Sequence, residues 1–429
     1  MSKAYPTYKD SGIKWLGQIP THWDLLRNKI FITEHDNVVG QDAYKYTLLS
    51  LTKQGVIQRD IESGKGKFPK EFDNYKIVES GNIIFCLFDV DETPRTVGLS
   101  SIDGMITGAY NVFSIKGINS QFYYYYFLAV DEAKALRPLY SGLRKVVKTE
   151  RFAGLRIPVP PEEEQRQIVA YLDYKSNKIN ERICQREREL QTLSELKQAE
   201  IAAVVTRGLD PNVPMKESGI EWIGQIPAHW EIKYLSQIAE EHYISNKNVH
   251  HQNLLSLSYG RIVRKDINTT EGLLPASFDT YQVIEKGNII LRLTDLQNDH
   301  KSLRIGLVTE EGIITSAYIC IQSRQAILPE YLYLLLHSYD ICNVFYGMGG
   351  GLRQSLSYAD IKRIPIIIPA ISEQVEIIKH INAKTKNIDI YMESLKKEIE
   401  LLQEYKQRLI SDVVTGKVDV RGVEIPNEE

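Results

Sequence analysis

Arginine, lysine, asparagine and glutamine on glycine-led loops are the side chains that reach the base edges and phosphates of duplex DNA, and they occur here in two sets. In the first, Gly64-Lys65-Gly66-Lys67 is a flexible basic loop, Arg95 follows Pro94, and Ser141-Gly142-Leu143-Arg144-Lys145-Val146-Val147-Lys148 reads as a basic hairpin. In the second, Arg261, Arg264 and Lys265 cluster, Arg292 leaves an apolar strand, and Lys301 and Arg304 lie in a polar loop. Gly349-Gly350-Gly351-Leu352-Arg353-Gln354 then repeats the Gly-Leu-Arg of the first hairpin. If duplex DNA is the partner, the candidate contacts are Lys65, Lys67, Arg95, Arg144, Lys145 and Lys148, with Arg261, Arg264, Arg292, Lys301, Arg304, Arg353 and Gln354; otherwise they are ordinary solvated surface charge.

Catalytic signatures are missing from the sequence. Gly347-Met348-Gly349-Gly350-Gly351 lacks the lysine of a phosphate-binding loop, and no Asn-Pro-Pro-aromatic tetrapeptide of an adenine methyltransferase occurs. His22 and His229 each precede a tryptophan, but no acid or nucleophile beside them suggests a general base, so both are read as structural. Cys86, Cys184, Cys320 and Cys342 are scattered without metal-ligand or disulfide spacing. No catalytic residue, cofactor or metal is expected. Tyr123-Tyr124-Tyr125-Tyr126 could stack on bases, yet Tyr331-Leu332-Tyr333-Leu334 takes the same place in the second set, which favours packing faces of a helix.

What positions the two sets is a duplication. Ser11-Gly12-Ile13-Lys14-Trp15-Leu16-Gly17-Gln18-Ile19-Pro20-Thr21-His22-Trp23 returns at an offset of 207 as Ser218-Gly219-Ile220-Glu221-Trp222-Ile223-Gly224-Gln225-Ile226-Pro227-Ala228-His229-Trp230. Phe72-Asp73-Asn74-Tyr75, Gly81-Asn82-Ile83-Ile84, Ile106-Thr107-Gly108-Ala109-Tyr110 and Arg156-Ile157-Pro158 all have later counterparts in the same order. Each copy begins with short β-prone runs and Gly-Asn turns, with one helix near Gln121 to Leu136, and ends in a long helical run. The first run goes from about Glu162 to Thr206, with three glutamates in its first turn where the helix dipole favours acids. The second goes from about Ser372 to Thr415.

Apolar residues in these runs recur at alternating spacings of three and four, the signature of a coiled-coil seam. The seam residues are Leu172, Ile179, Ile183, Leu190 and Leu193 in the first run and Ile381, Ile388, Leu395, Ile399 and Leu402 in the second. Lys197 and Lys406 fall at matching seam positions, 209 apart. The expected fold is α+β: two similar mixed α/β domains joined by two long helices that pair as an antiparallel coiled coil. The expected divisions are 1–158, 159–208, 209–365 and 366–429.

Charge and composition limit the partners. The net charge is −3, and the four divisions carry +4, −1, −3 and −3, so phosphate attraction must come from local patches or from other subunits. No apolar run reaches a membrane span and no secretory h-region opens the chain, which makes the cytoplasm the default compartment.

Over essentially its full length the sequence resembles the specificity subunit of type I restriction-modification enzymes. The resemblance rests on the duplicated S-G-I-x-W-[LI]-G-x-I-P-x-H-W segment and on the R-I-P block with Glu164-Gln165, repeated at Arg363-Ile364-Pro365 with Glu373-Gln374. The helix ends Val204-Val205-Thr206-Arg207-Gly208 and Val413-Val414-Thr415-Gly416 complete it. The resemblance implies two target recognition domains that read a bipartite, asymmetric double-stranded DNA target. It implies also a helical spacer that docks two methyltransferase subunits and, through them, restriction subunits. A tandem-domain scaffold that binds only proteins is the alternative.

Overall fold

The computed structural model describes residues 3–59, 71–142, 145–248, 251–267, 277–297, 299, 303–348 and 355–426. Its α-helices among these are α1 (Ser120–Glu132), α2 (Thr149–Gly154), α3 (Glu162–Arg207), α4 (Leu235–Ile238), α5 (Pro329–Ile341), α6 (Tyr358–Ile361) and α7 (Ile371–Val414). The chain forms two compact units, one of Met1–Glu187 with Lys397–Glu429 and one of Arg188–Lys396. Each unit contains a head, one half of α3 and one half of α7.

The head of the first unit is built on a four-stranded antiparallel sheet in the order Ile32–His35, Asn111–Ile115, Ile83–Phe85, Val97–Leu99. The second head repeats it as Ala239–Glu241, Ile319–Ser323, Ile289–Leu291, Ile305–Leu307. The Gly81-Asn82 turn does not make a hairpin: Lys76–Val78 pairs with Gly104–Ile106, while Ile83–Phe85 joins the larger sheet. Gly81, at φ +91°, lets the chain pass from one sheet to the other.

One helix covers each sheet. In α1 the Asn119 side chain accepts from the N–H groups of Gln121 and Phe122, which caps the first turn. Its buried face presents Phe127 to Phe85 and Phe152, and Tyr123 against Phe127 and Phe113 against Phe85 extend the cluster, with edge-on and tilted ring pairs 4.6–5.9 Å apart. The helix stops at Glu132, short of the expected Leu136, because Lys134 takes φ +46°, which no helix interior accommodates. The second head has the same layout with an aliphatic filling from Leu332, Leu335 and Leu336 of α5.

Heads and long helices share cores. In the first unit Ile168 and Leu172 of α3 and Ile410, Val413 and Val414 of α7 are buried with Trp23, Phe113 and Phe152. In the second, Ile201, Val204 and Val205 of α3 and Ile377 and Ile381 of α7 are buried with Trp230 and Tyr331. Within each unit the helix halves run antiparallel. The first unit pairs Arg182 and Arg186 with Glu398, and Lys406 with Asn180. The second pairs Lys197 with Asp389, Glu200 with Lys384, and Tyr391 with Glu189. Leu172, Ile179, Ile381 and Leu395 are buried, while Ile183, Leu190, Leu193, Ile388, Ile399 and Leu402 are half-buried, so the covered residues follow the seam.

One detail departs from the sequence alignment. Arg156–Val159 pairs with Asp24–Arg27 so that Arg156 faces Arg27, but Pro365–Ile368 pairs with Glu231–Tyr234 so that Pro365 faces Tyr234. The two R-I-P triplets are therefore out of structural register by two residues. A slip of two preserves which side chains point inward, and Ile157 and Ile366 are both buried.

Candidate nucleic-acid interface

The duplicated H-W and E-Q motifs meet in each unit. Glu164, the third residue of α3, accepts from Tyr5 Oη at 2.6 Å and Trp23 Nε1 at 2.9 Å, and His22 Nε2 lies 2.7 Å from its second oxygen. Burial and this carboxylate push the Tyr5 phenol well above its ordinary range. Gln165 accepts from Asn119 N–H and donates to the Pro160 carbonyl. In the second unit Glu373 accepts from Trp230 Nε1 at 3.0 Å and faces His229, while Gln374 repeats both backbone contacts through Leu328 and Pro369. The acid partners of the two histidines are thus supplied from about 142 residues away in the chain. The signal that could have found them is the joint duplication of H-W and E-Q. Glu164 is held by two buried donors, an arrangement for locking the N-terminal strap onto α3 rather than for proton transfer.

The basic residues expected at DNA fall into three groups. Lys65, Lys67, Arg144, Lys301, Arg353 and Gln354 lie outside the described residues. Arg95, Lys145, Lys148, Arg261, Arg264 and Arg292 lie on loops or edges of the heads. Arg304 lies in neither group, contrary to its expected place in an exposed polar loop: it is fully buried and its guanidinium donates to the carbonyls of Arg292, Thr294 and Asp299 and to Tyr346 Oη. Its place just before strand Ile305–Leu307 turns it into the head, where these carbonyls meet its planar donors.

In the first head the loop after Ile83–Phe85 and the hairpin of Tyr140–Ser141 with Val146–Val147 are tied by Val147 N–H to the Leu87 carbonyl, 2.8 Å. Leu356 N–H to Leu293 carbonyl, also 2.8 Å, makes the same tie in the second head. These ties bring the expected residues together unevenly. Lys145 lies at the hairpin turn and Lys148 is exposed at the start of α2, whereas Arg261 and Arg264 belong to a separate hairpin with Leu255–Ser258.

The cations are matched by local acids that sequence reading did not single out. Lys145 Nζ stands 3.0 Å from Glu92, Arg137 bonds Asp91, and Arg264 forms a forked pair with Glu310 at 2.8–2.9 Å. Arg95 reaches Asp131 at 3.7 Å, and Arg292 reaches Asp299 at 3.5 Å. The Arg137 hydrogen bond holds the Asp91 carboxyl below its usual range, and the Arg264 hydrogen bond does the same for Glu310. Each cation must exchange a carboxylate for a phosphate or base edge to bind nucleic acid, which lowers the net gain.

Among the described residues no cluster of His, Cys, Asp and Glu could hold a metal ion, and no helix is long and apolar enough to cross a membrane. The tyrosine run is a packing face: Tyr123, Tyr125 and Tyr126 are buried, and Tyr123 donates to Asn28 Oδ1 at 2.8 Å.

Two duplicated heads carrying different basic loops, each fused to halves of the same helix pair, define a recognition chain. Residues 38–190 and 229–401 match the type I restriction modification DNA specificity domain. The chain belongs to that family, whose members supply DNA specificity rather than catalysis. A Methanocaldococcus jannaschii chain assigned as the specificity subunit of the type I restriction enzyme MjaX is 21% identical, covering 96% of this chain and 98% of the relative. The type I restriction enzyme MjaVIII specificity subunit of the same organism is 23% identical over 63% of this chain and 64% of its own length. A chain from a solved structure concerned with complex assembly and conformational transition of the type I R-M system shares the fold, with a TM-score of 0.60 and 13% identity. It covers 92% of this chain and 98% of the other.

Proposed function

We propose that the chain reads a bipartite, asymmetric duplex DNA sequence, with residues 1–158 and 209–365 as target recognition domains for one half each. The helices in 159–208 and 366–429 set the gap between the halves and dock two methyltransferase subunits, through which restriction subunits join. The carrying observation is that one scaffold is built twice with different residues at matching loop positions, Cys86 against Arg292 and Lys148 against Ser357. Identical heads would suit a palindrome, and unlike heads suit unlike half-sites. Arg95, Lys145, Lys148, Arg261, Arg264 and Arg292 are the described residues proposed to contact DNA. The family match supports this reading over the protein-only scaffold.

The weakly acidic charge and the paired cations make DNA binding depend on the partner subunits, and the compartment is the cytoplasm. The test is reconstitution with the cognate methyltransferase followed by methylation profiling of a whole genome. A split recognition sequence is expected, and insertion of four residues into one helix, about one turn, should change only the gap. Methylation without sequence preference overturns the reading.

A further inference from the structure

The second head contains a half-open cavity of about 390 Å³ whose walls include His242, Gln282, Thr294, Tyr318, Ser355 and Tyr358. That volume lies at the lower end of small-molecule sites, roughly 300–1,000 Å³. Comparison of the two heads explains why it exists. Asn111 faces Phe85 and Ile319 faces Leu291, so Tyr110 corresponds to Tyr318 and Phe88 to Thr294. In the first head Phe88 stacks on Tyr110, ring centroids 6.0 Å apart and planes 24° from parallel. Thr294 supplies no ring at that place.

The walls are polar and, among the described residues, carry no cationic lysine or arginine. Gln282, almost fully buried, donates to the carbonyls of Thr315 and Tyr318 and so fixes the loop that carries Tyr318. Tyr358 Oη donates to the Ala239 carbonyl. Burial pushes the wall thiol of Cys320 up to about 12, so it stays protonated. Without lysine or arginine the described walls disfavour a phosphate, and Glu241 and Asp360 are their only acids. His242 lines the cavity, but its Nε2 is enclosed without a hydrogen-bond partner and does not open onto it. Its counterpart His35 is in the same state, so the histidine alone does not mark the site. The missing ring beside it does.

We propose that this cavity takes one nucleobase-sized heteroaromatic ring, stacked on Tyr318 in the place Phe88 fills in the first head and lying beside the wall residue His242. A free nucleoside and a base presented by DNA share this chemistry. For the second source only, the proposal rests on the DNA-reading function. Ser355 lies two residues beyond Arg353 in sequence, and Arg353 is one of the residues expected at DNA.

The test uses the full-length protein with ¹⁵N-labelled histidine. Adenosine, cytidine, guanosine and thymidine are added singly to the chain, and a duplex oligonucleotide carrying 2-aminopurine within the sequence that methylation profiling identifies is added separately to its complex with the methyltransferase subunits. At least one probe is expected to shift the His242 ring resonances while leaving those of His35 in place. A nucleoside response identifies a free ligand, and a response to the duplex alone identifies a DNA base. Thr294→Phe should abolish the shift, and Tyr318→Leu should weaken binding about tenfold or more, with thermal unfolding establishing that each variant is folded. Silence of His242 toward all five probes overturns the proposal. So does a shift that survives folded Thr294→Phe, or one shared equally by His35. Retained DNA recognition with a silent His242 would sink this site and leave the DNA-reading function standing.

Discussion

Replacing Glu164 by alanine should destabilise the first unit far more than replacing Glu373 destabilises the second. Trp23 and Tyr5 are 0% and 3% exposed, and both lose their acceptor when Glu164 is truncated. A buried donor left unsatisfied costs about 1–3 kcal/mol, which gives about 2–6 kcal/mol for the two. His22, with its side chain 37% exposed, turns to water and adds little. Glu373 serves one buried donor, Trp230 Nε1, and its own side chain is 24% exposed, so water replaces part of the loss. Its truncation should cost about 1–2 kcal/mol. For a unit of this size each kcal/mol lowers the midpoint by about 2–4 °C, so the expected drops are roughly 10 °C and roughly 4 °C. Calorimetry should separate the two transitions, and hydrogen exchange should localise the loss to residues 3–23 or 215–230. In a Trp23→Phe background, which removes one donor, Glu164→Ala should cost about 1–3 kcal/mol less. Equal drops at the two glutamates, or no coupling to Trp23, would refute the lock.

Three further outcomes are expected. Asp340 is 5% exposed and burial raises its pKa to about 6, above the unfolded value of about 3.9. Its ionised form opposes folding, so stability present below about pH 4 is lost as pH rises toward 6. Asp340→Asn should therefore stabilise the second unit at pH 8 by on the order of 1–3 kcal/mol and do little at pH 4, and denaturant melts that show a loss at both pH values would contradict this. Arg304→Ala should unfold the second head by about 3–5 kcal/mol by leaving a buried polar network without its donors, whereas Arg264→Ala should leave stability alone and lower the salt slope of DNA binding by about 1; unfolding scans with salt-dependent DNA titrations distinguish the two, and specificity loss in folded Arg304→Ala would restore its direct role. Asn180→Asp should give Lys406 the acid partner that Asp389 gives Lys197 and raise the Lys406 ammonium, whose pKa is lowered by burial and then by Arg95. The expected gain is about 0.5–1 kcal/mol, and an unchanged Lys406 titration by NMR would exclude the contact.

Periodicity made the long helices legible, because their three-four spacing extends over more turns than chance allows, and α3 and α7 end within a residue of the expected positions. Duplication made the two heads legible even where propensity was ambiguous. Side-chain destination was much less so. Arg304 and Arg264 look alike in a polar stretch, but only a three-dimensional ring of carbonyls makes the first a core residue. Lys145 and Glu92 are distant in sequence and adjacent in space, and local patterns carry no record of such pairs. The two-residue slip beside Pro365 escaped because identical triplets outweigh strand register in any linear comparison.

The bridge between Lys3 and Asp419, with Gln167 held by the carbonyls of Val420 and Val423, has a consequence for the order of synthesis. Gly416 ends α7 against Pro20 and Trp23 just as Gly208 ends α3 against Pro227 and Trp230, both in the left-handed region that glycine tolerates. The second unit is one continuous stretch of chain, whereas the first borrows Ile410, Val413, Val414 and Val420 for its core. The half of the protein that leaves the ribosome first is therefore completed last. Until the final segment arrives, Trp23 and Ile168 lack their apolar cover, a window in which a nascent chain is exposed to aggregation and to chaperones.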